Sequence, residues 1–214
     1  GTAILLIATG GVLFFSAGLR WRYFIFAGAA VLAAIPVIWS RLHDYQRNRV
    51  FTFLDPERDP LGTGYHILQS KIALGSGGIF GKGFMEGTQS QLNFLPEKHT
   101  DFIFTMLGEE LGLVGGIVLL TLYFIVLMFS LNVALQCRNQ FGRLVAIGVS
   151  MTFFFYVFIN TAMVMGLLPV VGVPLPLVSY GGTAMLSLMF AFGLLMSVYI
   201  HRNLEISRGP SAFW

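Results

Sequence analysis

PEKHTDFIFTMLGEELG, residues 96–112, carries Glu97, Lys98, His99, Asp101, Glu109 and Glu110 in one short window and then runs into an uninterrupted apolar segment, residues 111–129. Pro96 lacks the N–H that a helix interior needs, so a helix is expected to begin just after it. Thr100 suits the N-cap position, which would put Asp101 in the first turn. Unpaired N–H groups and the dipole at a helix start stabilise negative charge, which would keep Asp101 ionised at neutral pH. An ionised carboxylate can act as a general base or a cation ligand. It can equally do no more than cap the helix, and this window leaves both open.

A single helix over residues 101–134 would be about 50 Å long at 1.5 Å per residue. That exceeds a hydrocarbon core of about 30 Å. Its first turns should therefore stand out of the bilayer, with Glu109 and Glu110 at the edge and Asp101 on the order of 12 Å above them. Asp101, Thr105, Gly108 and Gly112 would share one face, a narrow strip that another group can approach closely.

The whole chain supports a membrane reading. Its 214 residues are 56% hydrophobic and 11% charged, and the mean hydropathy is +0.76. A soluble domain does not have that composition. Apolar runs at 1–19, 23–40, 102–134, 144–168 and 181–200 predict about five transmembrane helices in a single all-α polytopic membrane domain. The short links with Arg20 and Arg22, Arg138 and Arg143, and His201 and Arg202 then fall on one side, which the positive-inside rule makes cytoplasmic. Residues 41–101 form a large, partly helical extracytoplasmic loop. Every acidic residue except Glu205 lies in or beside that loop, so polar chemistry is expected at the outer face. The net charge of +3 is small and scattered, which argues against a nucleic-acid partner. The lone Cys137 excludes an intrachain disulfide and a cysteine-cluster metal site. The chain opens inside an apolar run without Met, and we expect it to be truncated at the N-terminus.

Within the loop, residues 41–49 are a basic cluster and residues 54–61, LDPERDPL, a turn. Residues 64–74 place Tyr65, Leu68 and Ile72 at helical spacing, with Gln69 and Lys71 between them, and predict a short interfacial helix. GSGGIFGKG, residues 75–83, is expected to be a flexible loop. It is no phosphate loop, because Ser76 stands where the first glycine belongs and Gly83 follows Lys82. Residues 89–95 suit a short extended piece. His43, His66 and His99 are too dispersed to suggest zinc. Between the last two runs, LLPVVGVPLPLVSYGGTA (167–184) is apolar, yet Pro169, Pro174 and Pro176 forbid a continuous helix. It is either a re-entrant segment lining a cavity or a rigid outer turn.

The runs HDYQRNRV (43–50), LDPERDPLGTGYHILQSKIALGSGGIFGKG (54–83), GTQSQLNFLPEKHTDFIF (87–104), GEELGLVG (108–115) and VGVPLPLVSYGGTA (171–184) resemble the SEDS family of bacterial shape, elongation, division and sporulation proteins. GKG, GTQSQL and VGVPLPLVSYGG are more similar to the elongation branch than to the division branch. The resemblance covers essentially the whole chain and implies a multi-pass protein of the bacterial inner membrane with its active face outside. It implies a peptidoglycan glycosyltransferase that polymerises lipid II with a class B penicillin-binding protein as partner. Asp101 matches the family's essential aspartate. The glutamate and lysine that the family uses in an earlier segment have no counterpart here.

The implied reaction inverts an α-linked pyrophosphate donor, so one base must take the proton of the acceptor hydroxyl. The height expected for Asp101 suits a sugar on a membrane-anchored pyrophosphate. The leaving pyrophosphate needs cationic charge, which Arg47, Arg49, Lys71, Lys98 or a divalent cation held by Asp101 could supply. Each basic residue could instead contact anionic headgroups. Gln69, His99, Thr100 and Ser179 complete the candidate substrate-binding set. A flippase for the lipid-linked precursor, or a non-catalytic scaffold, are the competing readings. A flippase should carry ionisable residues inside its spans, and these spans are poor in them.

Overall fold

The computed structural model describes residues 2–41, 43, 47, 51–52, 55, 63–84, 86–87 and 100–203. The described helices are α1 (Thr2–Ser16), α2 (Trp21–Arg41), α3 (Thr63–Ser76), α4 (Ile103–Glu110), α5 (Gly112–Gln136), α6 (Gln140–Val164) and α7 (Gly182–Ile200). The protein is an all-α polytopic membrane protein. α5, α6 and α7 are long and apolar enough to cross a bilayer, and α1 and Trp21–Pro36 are shorter apolar helices.

α6 is the hub, packed against α1, α5 and α7 and touching α3 and α4. Between membrane helices the attraction is mainly close van der Waals fit, so small side chains decide who meets whom. Ala146 lies in a cluster with Val133 and Ala134 of α5 and Leu195 of α7. Gly148 faces Leu13 of α1. Higher on α6, Phe153 meets Tyr123 edge to face at 5.6 Å and Phe192 at 5.5 Å.

The bundle has two distinct ends. At one, Arg138 N–H donates to Arg202 O at 3.1 Å, and the Arg202 guanidinium donates to Gln136 Oε1 at 2.7 Å. Ala17 and Leu13 line a groove with Phe141 and Leu144 at the same end, so the link that follows α1 is placed there too. At the other end lie α3, α4 and the proline-rich stretch.

The helix expected over 101–134 is broken. α4 ends at Glu110, and α5 starts at Gly112 with φ +66°. The cause is the glycine-rich turn after α3. Lys82 and Gly83 N–H groups donate to Glu109 O (3.0 Å) and Glu110 O (3.1 Å), while Gly78 and Ile79 carbonyls accept from Leu113 N (3.0 Å) and Val114 N (3.1 Å). The turn takes over the backbone hydrogen bonds that the kink forfeits. A Cβ on Gly112 would run into the Gly81 and Ile79 backbone, so the close approach needs glycine. Residues 75–83 are therefore no flexible loop: Gly75 and Ser76 close α3, and the rest is pinned to the kink. Glu109 does not face solvent as a free surface acid would. Its side chain is 1% exposed and pairs with Lys82 Nζ at 2.9 Å.

Candidate functional site

Asp101 sits in a turn, outside the helix. α4 begins at Ile103, with Phe102 at the cap position and no side-chain cap. The expected Thr100 cap fails for a visible reason. Carbonyls that would open the helix point sideways: Thr100 O accepts from Ser179 Oγ at 2.6 Å, and Asp101 O accepts from Asn160 Nδ2 at 2.8 Å. Phe102 and Phe104, each 3% exposed, anchor the turn in a cluster with Tyr123, Phe153, Met163 and Leu175. Asp101 itself is half-buried.

The proline-rich stretch folds back against this turn. Val173 and Leu175 are buried at 2% and 1%. Tyr123 O–H donates to Pro176 O at 2.6 Å, Asn160 Nδ2 donates to Val173 O at 2.6 Å, and Leu175 N–H donates to Ser179 Oγ at 2.7 Å. Gly172, with φ +68°, runs its backbone past the carboxylate: a Cβ there would lie 3.5 Å from Asp101 Oδ2. Ile103, Leu177, Ser179, Tyr180 and Gly182 line an open cleft of about 630 Å³ beside the turn. A second cavity of about 350 Å³ lies between α6, α7 and Pro174–Leu177.

The strip of small residues on α4 is filled by protein. Ser70 of α3 hydrogen-bonds Thr105 Oγ1 at 2.7 Å and donates to Val164 O at 2.9 Å. Leu74 of α3 presses on Gly108. Asp101 lies beyond the end of that packed strip.

The fold therefore gathers Asp101, Thr100 and Ser179 of the candidate set. Gln69 lies on α3, with its Oε1 buried and without a partner among the described residues. Lys71 is exposed on the same helix, its tail lying on Gly166 at the end of α6. There an ammonium complements the helix C-terminus, so its position has a structural explanation as well as a functional one. Arg47 donates to Ser40 O at 3.2 Å, at the end of α2. Arg49, Lys98 and His99 lie outside the described residues.

Asn160 joins the site although the sequence reading passed over it. Its signal was a lone carboxamide inside an apolar span, which needs a reason to be there. The Lys82–Glu109 pair joins positions 27 apart in sequence, so no local pattern announces it.

Comparison with known proteins agrees with this architecture. The family model for the FtsW, RodA and SpoVE cell cycle proteins matches residues 1–204. The peptidoglycan glycosyltransferase MrdB of Escherichia coli K12 is 57% identical over 205 residues, covering 95% of this chain and 55% of that protein. The peptidoglycan glycosyltransferase RodA of Treponema pallidum is 46% identical, covering 73% and 36%. Among solved structures, a chain from a peptidoglycan synthase complex that coordinates polymerization and crosslinking matches with TM-score 0.80 and 32% identity, covering 96% of this chain and 56% of its own. The chain spans about half the length of the curated relatives it matches first. On the family match and these identities, the chain belongs to the SEDS family, the FtsW, RodA and SpoVE cell cycle proteins, and is close to RodA.

Proposed function

We propose that the full-length protein is a peptidoglycan glycosyltransferase that polymerises lipid II at the outer face of the bacterial inner membrane during cell elongation. The observation that carries this is the Asp101 turn. A half-buried carboxylate is held through the backbone of its turn, with Asp101 O on Asn160 and Thr100 O on Ser179, beside an open cleft.

That arrangement suits an inverting transfer. The acceptor 4-hydroxyl attacks the anomeric carbon of the donor, the bond to the pyrophosphate oxygen breaks, and the hydroxyl proton goes to a base. Asp101 is the candidate for that base. Its alternative role is to hold a divalent cation. Magnesium commonly takes one or two carboxylates plus substrate phosphates, and a half-exposed aspartate fits that pattern. Bound there, a cation would supply positive charge for the departing pyrophosphate. Lys71, Lys98, Arg47 and Arg49 are the candidate protein cations for the same charge, and Gln69, His99, Thr100 and Ser179 candidate contacts to substrate. Thr100 and Ser179 lend their polar groups partly to the fold already, so their role would be to shape the site.

The partner proposed is a class B penicillin-binding protein. Purified full-length protein given labelled lipid II tests the reading. Glycan chains are expected. Translocation without chains would make the protein a flippase, and neither activity would make it a scaffold.

A further inference from the structure

Asn160 is 0% exposed, near the C-terminal end of the hub helix Gln140–Val164. An uncharged amide in an apolar span is unfavourable unless its hydrogen bonds are made. Both hydrogens of Nδ2 are used, one toward Asp101 O at 2.8 Å and one toward Val173 O at 2.6 Å. Oδ1 is buried with no partner among the described residues. The side chain is thus spent on its two donors. Both acceptors are backbone carbonyls, so the amide cannot be turned the other way round without losing both bonds.

The two carbonyls belong to non-helical segments far apart in sequence. One is the aspartate's own residue. The other is next to Gly172, whose backbone borders the Asp101 carboxylate. A single nitrogen therefore fixes the gap between the carboxylate-bearing turn and the strand of chain that walls it. Serine or threonine has one hydrogen to give and an ionised aspartate none; glutamine keeps both, on a stem one methylene longer, and can reproduce the pair of bonds only in part.

We propose that Asn160 is the positioning residue of this site: it holds the Asp101 turn and the 171–175 segment in register so that the carboxylate meets its target at a fixed place. It touches neither substrate nor cation. The inference rests on the reading of Asp101 given above. Misplacing a reacting group by about 1 Å can cost on the order of 100-fold in rate.

The test is lipid II polymerisation by the full-length protein with its partner, in Asn160→Ala, Asn160→Asp and Asn160→Gln variants, with kcat, KM and melting temperature measured for each. For Ala and Asp, kcat should fall about 100-fold while KM stays within about threefold, and the two stranded carbonyls should also lower the melting temperature, by less than the loss of kcat would require. Gln keeps both donors and should retain more activity than Asp, although Asp matches the native volume. A normal kcat in Asn160→Ala would overturn the proposal. So would the opposite order, with Asp active and Gln worst, because that is the signature of packing alone. Variants whose kcat loss follows their loss of melting temperature would also reduce Asn160 to a structural residue. Asp101→Asn is run alongside. If it polymerises normally, the reading of Asp101 fails whatever Asn160 does; if it is inactive and Asn160→Ala is normal, only the positioning role fails.

Discussion

At the scale of residues, Asp101 is the position on which the functional reading stands. Asp101→Asn keeps size and most hydrogen bonding but removes the charge. The backbone bonds that hold its turn come from Asn160 and Ser179, and substitution leaves them untouched. Folding and partner binding should therefore survive while lipid II polymerisation drops by at least about 100-fold, the loss expected for a general base. Asp101→Glu should recover little, because one extra methylene moves the carboxylate away from the place the turn gives it. Restoration of Asp101→Asn by high divalent cation would favour the cation-ligand role. Near wild-type turnover would leave Asp101 as a residue of the fold only. The aspartate itself was legible in the sequence through its motif. Its local setting was not: a threonine and an aspartate after proline look like a helix start, and what prevents one is Asn160 and Ser179, which lie 59 and 79 residues away in sequence.

The elements show the same division between near and distant causes. The helix at residues 63–76 was expected from side-chain spacing alone and is present within two residues at each end. The break between α4 and α5 was hidden, because a glycine within a membrane span is tolerated and does not by itself announce a kink. What makes Gly112 a kink is the turn over residues 77–83, whose backbone groups bond both sides of it. Lys82 grips one residue twice, with its N–H on Glu109 O at 3.0 Å and its ammonium on Glu109 Oε1 at 2.9 Å. Glu109 is buried and Lys82 only partly so. Removing the lysine takes the countercharge from a buried carboxylate, and breaking such a pair typically costs about 3–5 kcal/mol. Lys82→Met should lower the melting temperature accordingly, and adding Glu109→Gln should restore most of it, since the double change leaves no buried charge. Equal loss in the single and double variants would mean that the pair contributes nothing beyond packing. Gly112→Ala should be worse than either, because its φ of +66° and the contact with Gly81 both exclude a Cβ.

For the whole molecule, membrane class was legible from hydropathy, and the third, fourth and fifth apolar runs contain helices long and apolar enough to cross a bilayer, whereas the packing of those helices was not legible. The joined Arg138 and Arg202 and the α1 link share one end, and the short basic links there should be cytoplasmic. In a Cys137→Ser background, Ser76→Cys should react with an impermeant maleimide from outside the cell; labelling only after permeabilisation would invert the topology. Where the partner docks follows from which small residues are already used. Gly148, Ser150 and Gly166 of the fourth apolar run and Gly182, Ser187 and Gly193 of the fifth are small residues of the kind that let a partner helix come close. In the fold, Gly148 faces Leu13 and Gly166 faces Lys71, and Ser150 is 1% exposed. A Cβ on Gly182 or Gly193 would meet nothing within 4 Å among the described residues. Leu186, Phe190 and Gly193 lie at helical spacing on α7, and Leu186 and Phe190 are 73% and 71% exposed. A single transmembrane helix from a class B penicillin-binding protein should therefore pack on that face of α7, with glycine allowing close approach. Photo-cross-linkers at Leu186, Phe190 and Gly193 of the full-length protein should capture it, while one at Ala146, fully enclosed, should not. An intact complex with no cross-link from any of the three α7 positions would place the partner on another surface.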